Sequence, residues 1–170
     1  MKKYYLAHPY GARQWVREWE LKIERDLGIE VINPFYDRQA EQIAALDRLK
    51  TVSTTSLQKY TDGLNEFEIV GDDLGQITKA DGIIAILTDE VAIGTPMEIF
   101  FSAFVAKHPT FVICLYKPFQ NHPWIKALAT KRFNTVEEFE EFAKTGLKST
   151  PWKSAAWTAI QTILNRSGNQ

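Results

Sequence analysis

The sequence predicts an α/β fold in which helices cover both faces of a parallel sheet. Short apolar segments alternate with segments whose apolar residues recur every three or four positions, as strands alternate with amphipathic helices. The segments IIAIL and FVICLY are continuously apolar, which is typical of parallel strands buried on both faces. Gly and Pro stand at the boundaries between many of these segments.

The first elements are a strand, a helix and a second strand. Residues 3–7 (KYYLA) predict the first strand. A helical pattern follows over residues 12–27, and Gly28 ends it. Residues 29–33 predict the second strand, because Pro34 cannot continue a central strand. The first strand is thus joined to the second by a helix, as expected for two parallel strands.

The middle of the chain repeats this arrangement. Residues 36–50 have a helical but polar pattern, and residues 51–63 are rich in turn residues and predict a surface loop near the site. A helix over residues 64–80 leads into the apolar third strand, IIAIL. A further helix is expected over residues 96–106, after the loop 88–94.

The fourth strand is expected at residues 110–116, followed by a loop at 117–124. A short helix, a small edge strand at 131–134 and a charged helix (VEEFEEFAK) come next. A docked C-terminal helix is expected at about residues 152–165. With a length of 170 residues and no repeats, the chain is expected to form one domain over residues 1–170.

Composition excludes several classes of function. The formal net charge of -1 gives no electrostatic signature for nucleic acid or an anionic membrane. No apolar run reaches the roughly 18 residues of a membrane span, and the first residues lack the apolar core of a signal peptide. A single cysteine, Cys114, lies in an apolar run and is interpreted as a buried hydrophobic residue. A cytoplasmic protein is therefore expected.

Metal and phosphate-loop motifs are absent from the sequence. The three histidines, His8, His108 and His122, share no ligand spacing, and neither CxxC nor HExxH occurs. Neither GxGxxG nor GxxxxGK[ST] is present, and no Ser or Cys lies on a nucleophile elbow. We therefore expect no metal site.

The expected architecture is a flavodoxin-like, or Rossmann-like, three-layer sandwich with strand order 2-1-3-4-5. In such sheets the ligand binds beyond the carboxyl ends of the strands, at the switch point between strands 1 and 3. This rule selects the loops at 8–14, 34–39, 88–98 and 117–124.

Carboxylates dominate the functional groups of these loops. One carboxylate that attacks an anomeric carbon, beside a group that manages the proton of the leaving group, is the arrangement of glycosyl chemistry. The candidate side chains of the loops, with those of the first strand and of the helix before strand 3, are Tyr5, Tyr10, Arg13, Gln14, Asp37, Arg38, Gln39, Asp72, Asp73, Asp89, Glu90, Thr95, Glu98 and Asn121.

Glu98 has two interpretations. Thr95-Pro96-Met97-Glu98 has the pattern of a capping box, with Thr95 as the N-cap residue and Glu98 at the third helical position. Glu98 is equally a candidate nucleophile, because a carboxylate in the first turn of a helix is held ionised by the helix N-terminus. The two roles are compatible, and both stay open at this point.

Taken in order, these motifs resemble the nucleoside 2-deoxyribosyltransferase family. The likeness rests on His8-Pro9-Tyr10-Gly11 after the first strand, Asp73-Leu74 and Ala80-Asp81 before IIAIL, and Gly94-Thr95-Pro96-Met97-Glu98, and it covers about residues 3–125. It implies that Glu98 attacks C1′ of the deoxyribose and that Asp73, with Asp72 as second choice, helps to protonate the leaving base. It also implies that Tyr5 orients the nucleophile and that Gln39, in Asp37-Arg38-Gln39, contacts the base.

The chain departs from the family pattern at Ala92. The transferases have a base-binding aspartate at this position, and the related nucleoside 5′-monophosphate N-glycosidases have a phosphate-binding serine. Asp89 or Glu90 is the candidate replacement for the acid. The resemblance therefore implies a divergent member.

The resemblance also implies the partners: a nucleoside or nucleotide, a free base, no cofactor, and a homodimer or larger homo-oligomer with shared active sites. Asn121 is the candidate residue that reaches the neighbouring site. Thr95, Arg13 and Tyr10 are further candidates for substrate contact. Two alternatives stay open, namely hydrolysis of a 2′-deoxynucleoside 5′-monophosphate, for which Arg13 is the candidate phosphate ligand, and a non-catalytic nucleotide-binding module.

Overall fold

The computed structural model describes residues 1–37, 66–90 and 92–167. Over these residues the strands form one parallel sheet in the order β2-β1-β3-β4-β5. This order confirms the predicted fold class. The strands are β1 (Lys3–Ala7), β2 (Glu30–Ile32), β3 (Gly82–Leu87), β4 (Thr110–Cys114) and β5 (Lys131–Phe133).

Helices connect the strands and cover the sheet. They are α1 (Arg13–Leu27), α2 (Glu66–Lys79), α3 (Gly94–Phe100), α4 (Lys117–Gln120), α5 (Pro123–Leu128), α6 (Val136–Ala143) and α7 (Ala155–Ser167), with a 3₁₀ turn at Tyr10–Ala12 and a π-helical segment at Phe101–Ala106 that continues α3.

Several segments differ from the sequence-based expectation in their bounds, including β4, which ends at Cys114 rather than at residue 116. The helix expected at 96–106 begins two residues earlier, at Gly94, and changes to π-helical geometry at Phe101. The loop expected at 117–124 contains the short helix α4, whose second residue is Pro118, a favourable position for proline in a first turn. From residue 38 onwards, the polar helix expected at 36–50 and the loop expected at 51–63 lie outside the described residues.

Alternation along the strands divides the core into two layers. In β1, Tyr4 and Leu6 face α1 and α6, whereas Tyr5 and Ala7 face α2, α3 and α5. β3 divides its side chains in the same way, because successive residues of a strand point to opposite faces. All six residues of β3 are buried, which fits its continuously apolar sequence.

β1 is an interior strand of the sheet, between β2 and β3. Tyr5 pairs with Ile32 on one side and with Ile83 on the other. Its side chain is 0% exposed. In the described part of the chain, each helix is too short or too polar to cross a lipid bilayer.

Candidate active site

The carboxyl ends of β1, β2 and β3 are adjacent, so the loops that leave them meet at one edge of the sheet. This edge contains the switch point between β1 and β3. The connection from β1 leads to one side of the sheet, and the later strands are added on the other side. The side chains that carry chemistry there divide between the two faces of the sheet. Tyr5, Asp73 and Glu98 lie on the face covered by α2 and α3.

The hydroxyl group of Tyr5 donates a hydrogen bond to Oε1 of Glu98 over 2.6 Å. The distance is short, as is typical of an O–H donor with a charged acceptor. Tyr5 reaches Glu98 because its position in β1 turns it towards α3, and Glu98 is half-buried one helical turn after the start of α3. A residue of an interior strand therefore orients the carboxylate of a neighbouring helix.

Asp73 belongs to the same cluster. Burial raises the pKa of Tyr5 well above its ordinary value, and the charges of Glu98 and Asp73 raise it further, as do hydrogen bonds to both carboxylates. Tyr5 therefore keeps its proton at all physiological pH values and acts as a donor. Asp73 is half-buried and Asp72, its neighbour in α2, is exposed, so Asp73 is the closer match to the predicted acid.

The predicted capping role of Thr95 is wrong. The N-cap residue of α3 is Ile93, which makes no side-chain capping bond, and Thr95 lies inside the first turn, only 3% exposed. The amide N–H of Met97 donates to the carbonyl oxygen of Ile93 over 3.4 Å, which extends the helix past the expected start. Glu98 thus lies beyond the first turn, and the hydroxyl group of Tyr5 holds it instead of a backbone cap.

The other face of the same edge has an aromatic wall, defined as His8, Tyr10 and Phe35. The Phe35 ring packs edge-on against His8, with 4.8 Å between ring centroids, and against Tyr10, with 5.4 Å. The guanidinium group of Arg13 stacks over Tyr10 at 3.9 Å from the ring centroid. Tyr36 donates from its hydroxyl group to the carbonyl oxygen of Arg13 over 3.3 Å. These contacts join the loops after β1 and β2.

Glu90 connects the loop after β3 to the loop after β1. Its Oε1 atom accepts a hydrogen bond from the amide N–H of Gly11 over 3.0 Å. A Cβ atom on Gly11 would lie only 2.2 Å from Oε2 of Glu90, so the absence of a side chain at Gly11 permits this approach. Asp89 is exposed beside Glu90, and Ala92 is half-buried. Of the two candidate acids, Glu90 is the one that reaches the first loop.

The remaining predicted residues have separate positions. Asp37 accepts the amide N–H of Asn33 at Oδ2, 2.6 Å away, and so closes the turn after β2. Gln39 and Arg38 lie outside the described residues. Asn121 is exposed at the end of α4.

Two polar residues of this edge were missed by the sequence analysis. Glu20 and Asn33 are 0% exposed, and Nδ2 of Asn33 donates to Oε2 of Glu20 over 2.6 Å. Arg17 donates from Nη1 to Oε1 of Glu20 over 2.5 Å. Burial raises the pKa of Glu20 to about 7, against the lowering effects of the Asn33 hydrogen bond and the Arg17 charge.

A signal for Glu20 is present in the sequence. Val16, Glu20 and Ile23 follow one another at helical spacing, so Glu20 occupies a position of the apolar stripe of α1. An acidic residue on a stripe that packs into the core is buried only when it has partners. The periodicity therefore marks Glu20 as unusual, although it does not name Asn33 as the partner.

An apolar groove is lined by residues of α3, α4 and α5 and by Leu87 at the end of β3. Its volume is about 420 Å³, and Met97 and Trp124 on its rim are 59% and 63% exposed. The lining residues are Leu87, Pro96, Met97, Phe100, Phe119, His122, Trp124, Ile125 and Leu128. Across residues 1–37, 66–90 and 92–167, no group of three His, Cys, Asp or Glu side chains is arranged to hold a metal ion.

Comparison with solved structures identifies the architecture. A 2-deoxyribosyltransferase from the psychrotolerant bacterium Bacillus psychrosaccharolyticus superimposes with a TM-score of 0.63 at 22% identity, over 89% of this chain and 98% of that one. The chain shares the fold of a 2-deoxyribosyltransferase. This confirms, as a common fold, the family resemblance predicted from the sequence.

Two further solved structures are also similar to this chain. A conserved protein of Enterococcus faecalis V583 matches with a TM-score of 0.59 at 14% identity, over 85% of this chain and 98% of that one. The CMP N-glycosidase of Clostridium botulinum matches with a TM-score of 0.44 at 16% identity, over 82% of this chain and 96% of that one. No protein-family model and no curated protein matches the sequence.

Proposed function

We propose that this protein cleaves the N-glycosidic bond of a 2′-deoxynucleoside through a covalent Glu98–deoxyribosyl intermediate and transfers the sugar to another nucleobase. The observation that carries the proposal is the 2.6 Å hydrogen bond from Tyr5 to Glu98, with Asp73 in the same cluster. The shared fold with a 2-deoxyribosyltransferase supports the class of substrate.

In the first step, a carboxylate oxygen of Glu98 attacks C1′ of the deoxyribose. The C1′–O bond forms as the C1′–N bond breaks through an oxocarbenium-like transition state, and the electron pair of that bond goes to the nitrogen of the base. Asp73, or a water molecule that it positions, supplies the proton that the leaving base takes up. Tyr5 holds Glu98 at a fixed angle throughout, since its hydroxyl group keeps its proton.

In the second step, a nitrogen of another base attacks C1′ from the side that the first base left. The C1′–O bond to Glu98 breaks, the carboxylate returns, and the proton of the incoming nitrogen passes to Asp73 or to water. Two inversions at C1′ retain the configuration of the nucleoside. The aromatic wall offers Tyr10 and Phe35 for stacking on the base.

The test is a base-exchange assay. The protein is incubated with a panel of 2′-deoxynucleosides, with and without free adenine, and chromatography follows the released base and the new nucleoside. We expect adenine-dependent formation of deoxyadenosine and a deoxyribosyl adduct on Glu98 in intact-mass spectra. Glu98→Ala is the control, in which both signals should vanish. Full exchange by this variant would refute the proposal.

The same assay separates the alternatives. Deoxynucleoside 5′-monophosphates are run in parallel, because Arg13 is the candidate phosphate ligand. It is the first residue of α1 and directly follows the loop that leaves β1. Faster release of base from the monophosphate, with no exchanged product, would identify a nucleotide N-glycosidase. Saturable binding of a nucleoside with no release of base would identify a non-catalytic module.

We also propose that a second copy of this chain covers the apolar groove beside α3. Trp124 and Met97 expose large apolar surfaces on its rim, and an exposed apolar patch of this kind marks an interaction site. Asn121 lies between the groove residues Phe119 and His122 in the chain. A copy seated in the groove therefore meets Asn121, as expected for an active site shared between subunits.

Sedimentation velocity tests the assembly. Trp124→Lys should convert a dimer or larger oligomer into a monomer at micromolar concentration. Trp15→Lys is the matched control, because Trp15 is exposed on α1, which packs on the opposite face of the sheet. A monomeric wild-type protein would remove Asn121 from the site.

A further inference from the structure

A buried polar chain runs under the aromatic wall. Asn33 donates from Nδ2 to Glu20 over 2.6 Å and accepts the amide N–H of Phe35 at Oδ1 over 3.1 Å. Its carbonyl oxygen accepts the amide N–H groups of Tyr36 and Asp37 at 3.0 and 2.9 Å. Its own amide N–H donates to Oδ2 of Asp37 over 2.6 Å. Asn33 therefore fixes the whole turn after β2, and Phe35 with it.

His8 also contacts Asn33, but a neutral His8 ring can donate to only one of its two neighbours. The Nδ1 atom of His8 lies 2.9 Å from the carbonyl oxygen of Pro9, and Nε2 lies 3.3 Å from Oδ1 of Asn33. Both partners are acceptors, and a neutral imidazole has one N–H group. Burial lowers the pKa of His8, which favours the neutral ring. With the proton on Nδ1, which makes the shorter contact, Glu20 is the side chain that accepts from the Asn33 amide and holds it in place.

We propose that Glu20 is a positioning residue: through Asn33 it fixes the Phe35 ring, and its ionisation state sets how tightly the base is bound. The second part rests on the function proposed above, in which the aromatic wall stacks on the base. The first part does not, because the contacts from Glu20 to Phe35 are within the protein.

The charge on Glu20 depends on its surroundings. Burial raises its pKa to about 7. From α1, Arg17 donates to Glu20 and Glu24 adds a like charge, whereas Asp37 adds a like charge from the turn after β2. His8 lies beyond Asn33, and the charge of Glu90 reaches His8 from the loop after β3.

These contacts determine whether substrate binds more tightly at acidic or at alkaline pH. Above about pH 7 Glu20 is a carboxylate, and a charged acceptor makes a stronger hydrogen bond with the Asn33 amide. Below that pH the carboxyl group is neutral and the bond is weaker. The Phe35 turn is therefore held more firmly on the alkaline side, where substrate should bind more tightly.

The first experiment does not need activity. The chemical shift of the Phe35 amide is followed by NMR from about pH 5 to about pH 9, because its acceptor is the side chain that Glu20 holds. We expect a step centred near neutral pH in the wild type and in Glu18→Gln, a control that removes an exposed charge from the same helix. The step should be absent in Glu20→Gln. A flat wild-type curve, or a step that persists in Glu20→Gln, would overturn the proposal.

The second experiment measures steady-state base release over the same pH range. The KM of wild type and Glu18→Gln should fall roughly threefold to tenfold as the pH rises, with a small change in kcat, as expected when only substrate binding becomes tighter. Glu20→Gln should keep the high KM throughout. An NMR step without a change in KM would refute the effect on binding. Absence of base release from every substrate would refute the proposed function and leave the NMR result to decide the positioning role.

Discussion

Two glutamates lie near the carboxyl edge of the sheet, on its opposite faces. Glu98 is half-buried and accepts a hydrogen bond from Tyr5, whereas Glu20 is 0% exposed and holds Asn33. The two carboxylates have similar chemistry but different access to a ligand. Under the proposals made above, burial and not residue type separates a group that can react from one that can only position others.

The largest effect should come from Glu98→Gln. The amide has nearly the same shape but is a poor nucleophile, so the rate of base exchange should fall at least about a thousandfold. Chromatographic exchange assays measure this loss. Thermal unfolding should change little, because Glu98 provides no N-terminal cap for α3. If Glu98→Gln lost activity only because it unfolded, the result would contradict the prediction that Glu98 acts in the reaction and not in stability.

The second effect is the pH dependence of stability contributed by Glu20. Its pKa rises from 4.5 in the unfolded chain to about 7 in the folded protein. A raised pKa means that this contribution to stability is fully present below pH 4.5 and is lost as the pH rises to about 7. The shift corresponds to about 3 kcal/mol.

Denaturant unfolding at acidic and mildly alkaline pH measures that contribution. Glu20→Gln should show a smaller loss of free energy of unfolding with rising pH than the wild type, whereas Glu18→Gln should follow the wild type. Identical slopes for Glu20→Gln and wild type would mean that Glu20 does not titrate in the folded protein.

The third effect is that of Tyr5→Phe, which removes the donor to Glu98 and keeps the ring. A hydrogen bond to a charged group is worth about 1.5–3 kcal/mol, which corresponds to a roughly tenfold to hundredfold loss in kcat/KM. Tyr4→Phe is the matched control, since the hydroxyl group of Tyr4 donates to the carbonyl oxygen of Leu147 on the other face of the sheet. Equal losses in the two variants would point to general destabilisation.

The smallest effect concerns the link between the loops after β1 and β3. The methyl group of Gly11→Ala would displace the carboxylate of Glu90, and the Gly11 amide would lose its acceptor. We expect a rise in KM of about threefold to fivefold. Glu90→Ala should give a similar rise, and the double variant should add nothing further, because both changes break one contact. Additive losses would show that Glu90 acts through another partner.

The sheet order and the Tyr5–Asp73–Glu98 cluster were within reach of the sequence. Fully apolar strands separated by helices predict a parallel sheet, and the order of the sheet names the loops that meet. Alternation in β1 then puts Tyr5 on the face covered by α2 and α3. The sheet order follows from local periodicity and topology, which a single sequence contains. The grouping of Tyr5 with Asp73 and Glu98 came instead from the resemblance to the nucleoside 2-deoxyribosyltransferase family.

The start of α3 and the buried contact between Glu20 and Asn33 were not predicted, and each has a physical reason. Thr95-Pro96-Met97-Glu98 satisfies the local rules of a capping box, but the carbonyl oxygen of Ile93 already accepts the N–H of Met97 and Thr95 is buried. Tertiary packing thus overrides the local preference. The Glu20–Asn33 contact joins a helix to the end of a different strand, and a pairing of this kind depends on packing distances that periodicity does not provide.

The interior position of β1 also has a consequence for synthesis of the protein. β1 is made well before its partner β3, which ends at Leu87, and Tyr5 and Glu98 are separated by 93 positions. Until that part of the chain is synthesised, one edge of β1 has no strand to pair with, and exposed strand edges invite association with other chains. Glu98, the proposed nucleophile, meets Tyr5 only when this long-range pairing is complete, so a shortened nascent chain should be more prone to aggregate and should lack the proposed activity.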